Sequence, residues 1–544
     1  MNITLEWIKK IQSKGFTLLL LPAVIVNLLA ARLDPDPHHD GFILSTAISS
    51  SEGFLPYRDT FTYFGPVTHW INSAVLRVVG PSGYELLTLR LFNFFISLLT
   101  VLVLSFCLRD KKYRSLVNFI LTVWLISHPV WSSHKPFYFN YWPWPDQLNL
   151  LFLSIILWAL LNFRSGKSSI IIGALLALGI YVRINTGAIS TLLVFSMFLV
   201  FRKTKQFPSF KVTLVSFIVT NLSVLLLLAA NGQLIGFIRN VILYPIQTFG
   251  GRLNNQFINL YHIGFNSFVL CLILILTLFY INIGKKSSKI YLAATGFSVV
   301  VIATVSVFVK QDLVPDFFSG KLLYLHLGVA IVILKLISIV VTRSAHTPVS
   351  DDNLTEVKFL VCAFSSILSV LYIGDIYHLW TIAPIVIIAS SIIIFNLKLE
   401  KLFYILAFTC LMFNIESIQA HLSEPREKIL VSPLKGMLGV RSQNEDYVNV
   451  SKMLAKLKDE EVTFYCPDGL FHVINGGFLP DNFNPFLSNY SKTTKNWENL
   501  VFCIQDFAWI SPEVFDDYVL LETQPQESFW SNWSTSKIYW FVRK

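Results

Sequence analysis

The chain has 544 residues, of which 54% are hydrophobic and only 14% charged, and its mean hydropathy is +0.59. A soluble globular chain carries roughly 25% charged residues, so this composition excludes that class and predicts an integral membrane protein. The formal charge of +10 does not point to nucleic acid, because Lys and Arg fall in short clusters between apolar runs, as they do in loops kept on the cytoplasmic side.

A bilayer span takes about 20 apolar residues, fewer where the segment is buried among other helices. Runs of this kind predict about 13 spans, near 15–33, 86–108, 115–130, 146–163, 168–182, 187–201, 211–230, 263–283, 290–309, 321–341, 358–374, 379–397 and 401–418. The first run also fits a signal peptide, but its length and the charged loop behind it favour an uncleaved anchor. Short basic loops such as "RDKKYR", "RSGK", "RKTKQFPSFK", "GKKSSK" and "KLEK" alternate with longer aromatic or acidic ones, so the latter face outward. An odd number of spans then carries the C-terminus outside.

The first outward loop, residues 34–85, opens on "LDPDPHHDGF", three aspartates and two histidines within ten residues. Behind it, Ile43, Ala47 and Ile48 stand at helical spacing and "VTHWINSAVLRVVG" is amphipathic, which predicts two helices lying in the membrane interface. His and Asp are common metal ligands, so a divalent metal held by Asp40 and His39 is one option. The prolines turn neighbouring ligands in different directions, which favours supporting or substrate-side roles for His38 and His39.

Further along, "FYFNYWPWP" fits an aromatic belt as well as a site. Asp146 follows Pro145 at the start of a span, where a carboxylate stabilises a helix N-terminus. The short spans 168–182 and 187–201 form a buried pair that meets at "YVRINTG" near the outer face. Arg183, Asp375 and His378 are ionisable groups at outer span ends, and such groups usually face a water-filled cavity. After residue 419 polar residues, Gly and Pro take over, and "VTFYC", "YVLLET" and "KIYWFV" read as strands. We therefore expect a transmembrane module over 1–418 and a small outward-facing α+β domain over 419–544. The six cysteines, Cys107, Cys271, Cys362, Cys410, Cys466 and Cys503, show no CxxC spacing; Cys466 and Cys503 are open to pairing or to staying thiols.

The first loop resembles the start of the membrane-embedded GT-C glycosyltransferases, the superfamily of lipid A aminoarabinose transferases and protein O-mannosyltransferases. Asp40, Gly53, Pro56, Tyr57, Gly65, Pro66, Trp70, Gly80 and Arg90 follow that pattern in order. "PDQ" at the mouth of the fourth span, "YVRINTG" and "DIYHLWTIAP" look like later segments of bacterial members. The likeness spans about the first 200 residues and departs where Gly41, not a second acidic residue, follows Asp40.

The resemblance implies inverting transfer of a sugar from a polyprenyl-phosphate donor to a glycan, lipid or protein acceptor. The reaction would run on the outer face of a bacterial cytoplasmic membrane, with no cofactor required and no nucleic-acid partner. In that frame Asp40 is the expected catalytic base. Asp36, His38, His39 and Asp146 are acceptor-side or supporting groups, and Arg183, His378, Lys135 and Arg252 are the cations for the donor phosphate. A polytopic transporter or flippase of lipid-linked saccharides is the alternative, although the spans show no two-fold repetition.

Overall fold

The computed structural model describes residues 20–36, 39–108, 114–126, 130–131, 139–140, 144–162, 166–201, 208–249, 351–370, 376–396, 425–439, 441–456, 462–465, 469–474, 499–503, 518–525 and 537–543, with a few isolated positions between. The expected spans 263–283 and 290–309, together with Cys466, His38, Lys135 and Arg252, lie outside the described residues.

The described part is mostly helical. Helix α1 covers Leu20–Ala30, α2 His39–Ser51, α3 Pro66–Val79, α4 Glu85–Cys107, α5 Arg114–Ile126, α6 Pro145–Asn162, α7 Gly166–Val182, α8 Ile184–Phe201 and α9 Phe210–Ala230. Among the described residues α4, α6 and α9 are long and apolar enough to cross a membrane, by length and composition. That agrees with the integral-membrane reading, and the three helices coincide with three of the thirteen expected spans. Shorter apolar helices, α1, α7 and α8 among them, occupy other expected positions. On α9, Val215, Leu222 and Leu226 are more than half exposed, as a lipid-facing helix requires.

Local sequence explains the boundaries that shape the outer end. Helix α3 begins with Gly65 as N-cap and Pro66 in its first turn, and it stops at Gly80, whose φ of 74° is open to glycine and whose N–H donates to the Leu76 carbonyl. At the start of α4, Glu85 accepts from the backbone N–H groups of Ser82 (2.8 Å) and Gly83 (2.9 Å), satisfying donors at the helix entrance. Arg77 closes the other end of α2 by donating to the Ser50 carbonyl at 2.7 Å and the Ser51 carbonyl at 3.2 Å.

Helices α7 and α8 form a hairpin with Arg183 alone at its apex. The Arg183 N–H still donates to the Gly179 carbonyl, and the Gly187 N–H donates to the Arg183 carbonyl. The reversal brings Gly187 against Gly179 so closely that a Cβ on Gly187 would lie 2.2 Å from the Gly179 carbonyl carbon. Only glycine permits that approach.

Beyond α9 the chain runs through α10 (Leu234–Phe237), a π-helical turn (Ile238–Leu243) and α11 (Tyr244–Phe249). Two long helices, α12 (Asp351–Val370) and α13 (Ile376–Asn396), pack together and supply part of the apolar core that also contains Leu104, Trp124 and Leu157.

Among the described residues after 425 there are two helices, α14 (Arg441–Lys456) and α15 (Gly469–Ile474), and a four-stranded sheet. Its strands are Val462–Tyr465, Asn499–Cys503, Lys537–Arg543 and Tyr518–Pro525 in spatial order; the first pair is parallel and the others antiparallel.

Helix α2 differs from expectation. Ten of its thirteen residues are buried. Phe42, Ile43, Leu44 and Ala47 join Leu434, Met437, Tyr447 and Leu470 in one core, because the chain after residue 425 covers the face that would otherwise meet the interface. Helix α3 is the half-exposed one, with Val78 88% exposed at its end.

Candidate active site

Each aspartate of the opening stretch has a different partner. Asp34 adopts a left-handed backbone, φ 41°, and is buried. Its carboxylate accepts from Arg426 Nε at 3.0 Å and Nη2 at 2.8 Å, while its N–H donates to the Leu438 carbonyl at 2.8 Å. Leu438 in turn donates to Arg32, Arg32 reaches the Gly436 carbonyl and Tyr447 donates to the Pro35 carbonyl. The segment around 426–447 thus clamps the turn.

Asp40 has no solvent exposure, and neither does its ion-pair partner Arg90 on α4. Arg90 Nε donates to Asp40 Oδ1 at 3.3 Å and Nη2 to Oδ2, while Oδ2 also accepts from the Asp36 N–H at 2.7 Å. The same guanidinium donates to the carbonyls of Leu33 and Asp34. The expected base is therefore held as the keystone between α2, α4 and the end of the first span.

Asp36 faces the other way. Its Oδ1 accepts from the His39 N–H at 2.9 Å, which caps α2, and its Oδ2 meets His39 Nδ1 at 2.7 Å. The Asp36 side chain is 2% exposed and that of His39 24%. A carboxylate can only accept here, so Nδ1 carries the hydrogen and the lone pair of the neutral ring is on Nε2.

His39 leads to Arg183 through one aromatic ring. The His39 and Trp144 ring centroids are 5.3 Å apart, and the Arg183 guanidinium carbon lies 5.8 Å from the Trp144 centroid. Arg183 also pairs with Asp146 at the start of α6. The Asp146 side chain is 2% exposed and the Arg183 side chain 11%. Asp36, His39, Trp144, Arg183 and Asp146 thus follow one another in a chain of contacts. It brings together four of the residues singled out in the sequence.

His378 lies near the start of α13. Trp144 belongs to "FYFNYWPWP", which the sequence leaves open between an aromatic belt and a site, and Arg426 carries no signal in a polar stretch. Among the described residues no three His, Cys, Asp or Glu side chains gather as metal ligands. Asp40 turns both oxygens to Arg90, so its pairing with His39 around a cation finds no support in this geometry.

No protein-family model matches the chain, and no curated protein matches it. Solved structures do match over most of the chain, each at a TM-score below 0.5. The chain is similar to the Archaeoglobus fulgidus oligosaccharyltransferase in complex with Zn and sulfate, at 12% identity and TM-score 0.49, over 90% of this chain and 68% of that one. It is similar to the archaeal oligosaccharyltransferase AglB from the same organism, in complex with an inhibitory peptide and a dolichol-phosphate, at 12% identity and TM-score 0.49, over 92% and 70%. It is also similar to ArnT from Cupriavidus metallidurans bound to undecaprenyl phosphate, at 12% identity and TM-score 0.47, over 97% and 98%.

Proposed function

We propose that this chain is a GT-C-like glycosyltransferase that moves a sugar from a polyprenyl-phosphate donor to an acceptor on the outer face of the membrane. The acceptor class is a glycan, lipid or protein hydroxyl, and the transfer is a single inverting displacement. The membrane is a bacterial cytoplasmic membrane, the module over 1–418 carries the chemistry, and the segment over 419–544 lies outside and braces the first loop.

One observation carries this reading: Arg183 is held at the apex of a helix hairpin, with its side chain 11% exposed and Asp146 and Trp144 setting its position, directly beside the first outward loop. A guanidinium is a planar fork of fixed charge, suited to a phosphate that gains charge as the glycosidic bond breaks. The apolar helices offer the lipid chain a lateral approach. His378, Lys135 and Arg252 are assigned here as helpers for the same phosphate. Asp40, locked to Arg90, takes a positioning role in this scheme and no metal is required.

The test is incubation of the purified protein with a panel of polyprenyl-phosphate sugars and glycan, lipid and peptide acceptors, following free polyprenyl phosphate and glycosylated acceptor. Matched release of both is expected. Movement of intact lipid-linked sugar across a vesicle membrane without cleavage would replace the transferase with a flippase.

A further inference from the structure

We infer that His39, with Asp36 as its positioning residue, is the group that takes the proton from the acceptor. This rests on the transferase reading above. Three features on the page single it out. Of the ionisable groups in the opening stretch whose side chains are described, His39 is the accessible one, at 24%, whereas Asp34, Asp36 and Asp40 are at most 2% exposed in their side chains or wholly enclosed. Asp36 engages both the backbone N–H and Nδ1 of His39, which fixes the ring in one tautomer. His39 and Arg183 lie on the same ring, Trp144, so they are no more than about 11 Å apart.

An inverting displacement needs the proton acceptor on the side of the sugar opposite the leaving phosphate, with the attacking oxygen between base and sugar. Here the acceptor oxygen attacks the anomeric carbon from the His39 side as the bond from that carbon to the phosphate oxygen breaks toward Arg183. The electron pair of the broken bond leaves on the phosphate monoester, Nε2 receives the hydroxyl proton, and that proton then passes to the phosphate or to water. Nothing further is consumed.

His39→Gln should lower kcat by about 100- to 10,000-fold, the usual share of general-base assistance, while donor KM stays within about three-fold. His39→Ala should regain transfer when imidazole is added to the buffer, which shows at once that the variant is folded and that the ring supplies a proton acceptor. Asp36→Asn should lower kcat with donor KM unchanged, and Asp36→Glu should recover part of it. Unchanged kcat in His39→Gln, or a His39→Ala protein that still binds polyprenyl phosphate yet does not respond to imidazole, would overturn the inference and leave the transferase reading standing. An unmodified protein that releases no polyprenyl phosphate from any donor would overturn both.

Discussion

Arg90 and Asp40, fifty residues apart and both without solvent exposure, form an ion pair that ties the second span to the first outward helix. Removing one member of such a pair leaves the other charge buried, at a cost of about 3–5 kcal/mol. Asp40→Asn and Arg90→Met should each lower the thermal unfolding temperature in detergent, and the double variant Asp40→Leu with Arg90→Met should recover much of the loss. An Asp40→Asn protein of unchanged stability but abolished transfer would instead make Asp40 the reacting carboxylate.

Arg183→Lys keeps the charge and gives up the fork. We expect donor KM to rise by about ten-fold, with normal membrane insertion, because a point charge cannot replace bidentate contact with phosphate. Unchanged turnover would take Arg183 out of the site. Failure to insert would show that its pairing with Asp146 is structural.

The Asp34 to Arg426 pair joins positions 392 residues apart. Arg426→Ala strands the Asp34 carboxylate and should release the segment around 426–447 from the turn. Limited proteolysis should then cut this segment faster than in the unmodified protein, while the membrane helices stay protected. Equal cleavage rates would mean that the backbone pairing of Asp34 with Leu438 suffices.

His69 on α3 is buried with its Nε2 at 2.7 Å from Thr62 Oγ1, and burial lowers its pKa to about 3. An unfolded histidine titrates near 6.5. The unfolded chain therefore binds more protons between these values, so this contribution to stability is complete above about pH 6.5 and declines below it, by up to ~1.4 kcal/mol per pH unit toward pH 3. His69→Asn should flatten the fall of the unfolding temperature over that window; an unchanged slope would assign it to other groups.

The orientation of the bundle can be tested with single cysteines in a background without native ones. A cysteine at Glu52, exposed in the first loop, should react with a membrane-impermeant thiol reagent, and one at Lys167, at the start of α7, only after permeabilisation. The reverse pattern would place the loop of Asp36, His39 and Asp40 in the cytoplasm.

Hydropathy is a local property, so the sequence by itself determined the membrane class, the positions of α4, α6 and α9, and the meeting of two short helices at "YVRINTG". The close approach of Gly187 to Gly179 at that reversal was supplied by the structure. Three of the four strands after residue 460 were also legible as short alternating runs, because side chains alternate faces along any strand, whereas Asn499–Cys503 was not. Which aspartate does what was not legible. Asp34, Asp36 and Asp40 have the same side chain within seven positions, and only their partners separate them: Arg426 from the far end of the chain, His39 from the next turn and Arg90 from the following span. Helix α2 reads as half-exposed because its pattern shows one apolar face, whereas packing by α3 and the chain after residue 425 encloses the rest. Charge pairing and enclosure depend on distances in space, which sequence separation does not encode; tertiary structure alone placed His39 beside Trp144 and Trp144 beneath Arg183.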